Sequence, residues 1–133
     1  MNSKTVSIQV PPVASYLSLL RTVVGGCAGR EGFTLDQISD VKMAVDEAAG
    51  QLLKHVADGS AASGASISLE VTTDEGGLDL RIGAAAGIDG EVIDPKSFSW
   101  TILLALSDVL EVENDGRLAT VVMRKLRAGQ DDA

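Results

Sequence analysis

Two short turns constrain this chain more than any other feature in it. Asp74-Glu75-Gly76-Gly77 and Asn114-Asp115-Gly116 each sit between two runs in which apolar and polar residues alternate. Ahead of the first turn, within Ala65–Thr72, Ile67, Leu69 and Val71 are separated by polar residues; behind it come Leu78, Leu80 and Ile82. Val109–Glu113 and Leu118–Leu126 flank the second turn in the same way. Period-two alternation joined by a tight glycine-bearing turn specifies a β-hairpin. Hairpins make antiparallel neighbours, which argues against a sheet assembled from βαβ units.

The rest of the chain supplies one further strand and the helices. Thr5–Val10 alternates, with Val6, Ile8 and Val10 on one side, and is closed by Pro11-Pro12. From Val13 to about Cys27, Val13, Leu17, Leu20 and Val24 recur at helical spacing, with Gly25-Gly26 and Gly29 as the expected stop. A second helix, capped by Thr34 or Asp36, carries Ile38, Val41, Val45, Ala48 and Leu52 in steps of three and four. It runs to about Val56, ahead of Asp58-Gly59-Ser60 and a small-residue loop from Ser60 to Gly64. An irregular stretch, Gly83 to Pro95, precedes a third helix from Ser97 to about Ser107. Its apolar content (Phe98, Trp100, Ile102, Leu103, Leu104, Leu106) predicts a well-buried element, with Phe98 and Trp100 filling core space. The order β-α-α-β-β-α-β-β predicts an α+β two-layer sandwich: a mixed, mostly antiparallel sheet with helices on one face. One domain is expected over 5–127, with Ala128–Ala133 a loose polar tail.

Composition narrows the chemistry. With 11 Lys and Arg against 19 Asp and Glu, the 133-residue chain has a net charge of −8. Such a surface repels phosphate backbones, so no nucleic-acid partner is expected, while a cationic protein surface suits it. One cysteine, Cys27, and one histidine, His55, exclude an internal disulfide, a cysteine-based zinc site and a His cluster. The first residues show no apolar run behind Lys4, and Ile102–Leu110 is broken by Ser107 and Asp108. Neither a secretory signal nor a membrane span is expected, and the cytoplasm is the natural address.

Glu47, Gln51 and His55 are spaced four apart and stack along one flank of the second helix. A carboxylate, an amide and an imidazole in line serve a general base and a hydrated Mg²⁺. The same spacing also describes the plain polar flank of an amphipathic helix. Gly83, Gly87 and Gly90 fit a phosphate-cradling loop or a simple connection.

The segment from Asp36 to His55, with Ala44-Val45-Asp46-Glu47-Ala48 and Gln51 followed by His55, resembles the first nucleotide box of the histidine-kinase-like ATPase (GHKL) superfamily. More narrowly, it is similar to the bacterial anti-sigma factor/serine kinase branch. Ser97-Phe98-Ser99-Trp100 with Leu103, Ala105-Leu106 and Asp108, then a hairpin bearing Asn114-Asp115-Gly116-Arg117, is similar to actinobacterial anti-sigma-F factors of the RsbW/UsfX type. The resemblance implies that Glu47 is the base that activates an acceptor hydroxyl. It implies that Gln51 stands where the family has an asparagine ligand for Mg²⁺. It also places Arg21, 26 residues before Glu47, where the family has a partner contact on the first helix; a solvated helix arginine would occupy the same position.

The departures from the family pattern are as specific as the match. The second box, an aspartate with spaced glycines that reads adenine, falls on Ala84, Ala86 and Ile88. The glycines of the third box, which admit phosphate to the backbone, fall on Ser97, Phe98, Ser99 and Trp100. Intact boxes imply ATP and Mg²⁺; boxes altered in this way imply a domain that requires no cofactor. The leading expectation is therefore an anti-sigma factor that sequesters an RNA polymerase sigma factor and is released by a competing anti-anti-sigma protein. The alternatives are an ATP- and Mg²⁺-dependent serine kinase acting on that antagonist, and an α+β adaptor with no sigma partner. A homodimer through the exposed first strand accompanies the leading expectation.

Overall fold

The computed structural model describes residues 3–56, 64–85, 88 and 90–128. Five strands form one sheet: β1 (Lys4–Val10), β2 (Ile67–Thr73), β3 (Gly77–Ala85), β4 (Val109–Asn114) and β5 (Leu118–Leu126). Their order across the sheet is β1-β2-β3-β5-β4, and all four pairings are antiparallel. Three helices, α1 (Leu17–Arg30), α2 (Leu35–Val56) and α3 (Phe98–Leu106), complete the two-layer α+β architecture that the hairpin turns require.

Register settles which side chains meet the helices. Ile67, Leu69 and Val71 of β2 lie in line with Leu78, Leu80, Ile82 and Ala84 of β3, and with Ala119, Val121 and Met123 of β5; all are at most 1% exposed. Leu20, Val24 and Ala28 of α1 and Val41, Val45, Ala48, Leu52 and Val56 of α2 close over them. The opposite sheet face carries polar pairs, including Arg81–Glu113 at 2.7 Å and Arg124 with Asp79 at 3.0 Å.

The two turns are built from side-chain acceptors. Asp74 Oδ1 takes the backbone N–H of Gly76 at 2.8 Å and of Gly77 at 2.9 Å. The Arg124 guanidinium, followed by these N–H groups, holds the Asp74 carboxyl below the usual carboxylate range. Gly77 is required by packing, because a Cβ there would lie 2.5 Å from the Lys125 carbonyl oxygen. Asp115 Oδ1 plays the same part in the second turn, accepting from the backbone of Arg117 and Leu118.

Several boundaries differ from the sequence expectation. α1 runs through Gly25, Gly26 and Gly29 to Arg30, after a 3-10 turn at Ala14–Tyr16, and the chain reverses at Gly32, whose φ is +82°. A left-handed φ, which favours glycine, ends this helix; glycines with helical angles merely weaken one. Thr34 caps α2: its Oγ1 accepts from Gln37 N–H, and Gln37 Oε1 accepts from Thr34 N–H, both at 3.1 Å. β3 extends to Ala85 because Gly83–Ala85 pair with Leu118–Thr120. The Asp58-Gly59-Ser60 break, most of the Ser60–Gly64 loop, Ala86, Gly87 and residues 129–133 lie outside the described residues. Among those described, no helix is long and apolar enough to cross a membrane.

α3 departs most from expectation. Leu103 is its one fully buried residue, while Phe98 is 78% and Leu104 52% exposed. Helical geometry explains this. Residues two apart diverge by about 200° around a helix, so Phe98 and Trp100 cannot both face inward. Trp100, in line with Leu103, is half-buried against the core; Phe98 projects outward and fills no core space.

Candidate functional site

α2 and the start of α3 bring three of the expected residues together. The Glu47 and Gln51 side chains leave α2 one turn apart, and Ser99 reaches them from the first turn of α3. Ser99 Oγ donates to Glu47 Oε2 and accepts from Gln51 Nε2 at 2.7 Å. All three residues are partly buried. A hydroxyl carries one proton and two lone pairs, so one side chain meets the needs of both an acceptor and a donor. His55, one turn further along, has its Nε2 2.8 Å from the Val92 carbonyl oxygen, which only accepts; Nε2–H is therefore the donor. The polar flank read from the four-residue spacing is thus a fastening line that holds residues 92–99 on α2.

The remaining expected residues play other parts. Ser97 is the N-cap of α3, its hydroxyl accepting from Trp100 N–H at 3.2 Å. Ala84 is fully buried on the inner face of β3, paired with Ile67 and Ala119, and offers no polar atom beyond its backbone. Ile88, another position in the altered second box, is buried, and its carbonyl accepts from Asn114 Nδ2 at 2.9 Å.

Arg21 lies apart from this cluster. One guanidinium nitrogen of Arg21 bonds both Asp46 carboxylate oxygens, at 2.8 and 3.0 Å, across α1 and α2. A groove of about 320 Å³ opens there, lined by Arg21, Leu35, Ile38, Lys42, Met43 and Asp46 among others. Leu35 is 84% and Met43 51% exposed beside it. The Asp46 pairing with Arg21, the Asn114 bond to the Ile88 carbonyl and the bridging position of Ser99 went unread in the sequence. The partners lie 25, 26 and 48 to 52 residues apart, distances over which no periodicity operates.

Comparison with known proteins follows the same pattern. No family model matches the chain. An anti-sigma-F factor RsbW of Mycobacterium tuberculosis is 32% identical over 114 residues, covering 86% of this chain and 64% of that relative. A serine-protein kinase RsbW of Halalkalibacterium halodurans is 28% identical, across 97% of this chain and 88% of the relative. The crystal structure of the RsbU and RsbW domains of a Mycobacterium tuberculosis protein superposes with a TM-score of 0.73, covering 92% of this chain and 32% of that one at 12% identity. Through most of its length the chain is similar to the RsbW-type anti-sigma factor and serine kinase family. The chain spans less than two thirds of the length of the mycobacterial relative. The resemblance of its helices and hairpins to that family holds through nearly the whole described fold.

Proposed function

We propose that this chain is an anti-sigma factor: it binds an RNA polymerase sigma factor, withholds it from the polymerase, and releases it to a competing anti-anti-sigma protein. One observation separates this reading from the kinase reading. The carboxylate and amide that would serve phosphoryl transfer, Glu47 and Gln51, are bonded to Ser99 of the same chain.

The remaining geometry supports the same choice. A magnesium nucleotide fits these residues poorly. Side chains stand at 97–100, where backbone would have to approach phosphate, and the buried Ala84 offers no carboxylate to an adenine amino group. In contrast, the Arg21 groove presents a cation and exposed apolar side chains together, the mixture on which protein interfaces are anchored. The net charge of −8 favours encounter with a basic, DNA-binding partner. A homodimer would use the β1 edge, where Val6 is 45% exposed.

The kinase reading keeps one observation in its favour: a carboxylate bonded to a serine hydroxyl is what a general base for a serine substrate looks like. Affinity purification of the tagged chain from its own cells decides between the two. Capture of a sigma factor, without dependence on added Mg-ATP, is the expected result. Absence of any sigma factor, or transfer of phosphate from ATP to a serine of a co-purified antagonist, overturns it.

A further inference from the structure

We propose that Ser99 is a built-in occupant of the Glu47–Gln51 site, and that its hydroxyl sets how weakly this site takes a magnesium nucleotide. The inference rests on the sigma-sequestering reading above and adds to it the residue responsible.

The bonding supports that assignment. The Ser99 hydroxyl gives its proton to Glu47 Oε2 and takes an N–H from Gln51, so it bridges the two side chains and fixes how both are oriented. A hydrogen bond to a carboxylate is charge-assisted and among the stronger ones a hydroxyl makes. The hydroxyl is also held in place. Ser97 caps α3 ahead of it, and Leu103, four residues on and fully buried, pins the same helix to the core. A ligand that needs Glu47 Oε2, or the Gln51 amide turned toward it, must therefore compete with the Ser99 bonds. A glycine at this position would carry no such group, and an alanine would leave both groups free without disturbing the helix.

The test uses the full chain, with Mg-ATP and Mg-ADP as probes. Trp100, the only tryptophan and the immediate neighbour of Ser99, reports occupancy by fluorescence, alongside calorimetric titration. Ser99→Ala and Ser99→Gly are both expected to bind Mg-ATP about tenfold more tightly than the unaltered chain. Both variants should remain folded, because Ser97 and Leu103 still hold α3. If Ser99 were only a structural link, both substitutions would lower the melting temperature and leave nucleotide affinity within about twofold; that result overturns the proposal. So does an unaltered chain that binds Mg-ATP as tightly as the variants. Sigma-factor capture on the same samples keeps the two readings separate. Loss of capture with gained nucleotide binding counts against sequestration alone, and retained capture with no gain counts against Ser99 alone.

Discussion

α2 carries two polar flanks, and the fold uses them in opposite ways. On one, Glu47, Gln51 and His55 are bonded to Ser99 and to the Val92 carbonyl, so their hydrogen-bonding capacity is turned inward. On the other, Lys42, Met43 and Asp46 border an open groove with Arg21, and each of these groups keeps contact with solvent. The contrast shows that a chemically suggestive row of side chains can be a fastening; in the proposed reading, the ion pair beside exposed apolar residues is the part that meets a partner. A surface pair such as Arg21–Asp46, about 40% exposed on both sides, adds at most about 1 kcal/mol to stability and leaves the arginine available for another partner.

Four substitutions sharpen or break that contrast. The largest effect is expected from Leu103→Ala, which removes the buried anchor of α3. A loss of about 2–5 kcal/mol in denaturant unfolding is expected, together with loss of the fixed Trp100 environment in fluorescence. Retention of both would mean that α3 is held by its polar bonds alone. Next comes Arg21→Glu, which sets like charges against each other at Asp46 and reverses the sign of the groove. Sigma affinity should fall by about 1–3 kcal/mol, with the melting temperature changed by only a few degrees. Unchanged affinity in a folded variant would remove Arg21 from the interface.

Glu47→Ala should act the other way round. The Ser99 hydroxyl loses its acceptor, at a cost to stability of about 1–2 kcal/mol, while sigma affinity stays within about threefold. An ATP-dependent loss of sigma affinity would instead revive the kinase reading. The smallest effect belongs to Asp74→Asn, in the turn between β2 and β3. Because Arg124 and the turn N–H groups lower the Asp74 pKa in the folded chain, its contribution is present above the unfolded value near 4 and is lost as pH falls through the folded one. The stability gap between the two proteins should therefore close below about pH 4. A gap that widens on acidification would reverse the assigned sign.

What the sequence showed depended on the range of each interaction. Hairpins and the α2 stripe are decided within a few residues and were legible, as was the resemblance that Asp36–His55 and Ser97–Asp108 carry; the α2 cap was narrowed to Thr34 or Asp36, and the structure selects Thr34. The end of α1 was misplaced at Cys27 because composition marks glycines without showing which one takes a positive φ; that one is Gly32. α3 was expected to be well buried because its residues are largely apolar. An apolar composition has no period, however, and only the structure shows that Trp100 and Leu103 face the core while Phe98 does not. For the site, the sequence put Glu47 and Gln51 on one flank but could not show that Ser99 lies between them. That fact depends on how α3 packs across α2.

The sheet order has a consequence for how the chain is made. Val10 pairs with Ile67 and Lys4 with Thr73, so β1 leaves the ribosome nearly sixty residues before its neighbour. β3 waits in turn for β5, whose pairing joins Gly77 to Leu126. During synthesis the apolar stripes of α1 and α2 emerge ahead of any sheet to cover them, and only the contact between the two helices is available to shelter Leu20, Val24, Val41 and Val45. Such long-separation closures slow folding relative to a helical bundle of the same size. A nascent chain halted between α2 and β2 would thus be a sticky helical pair, and its solubility at that stage would depend on the acidic residues that the finished protein displays on its surface.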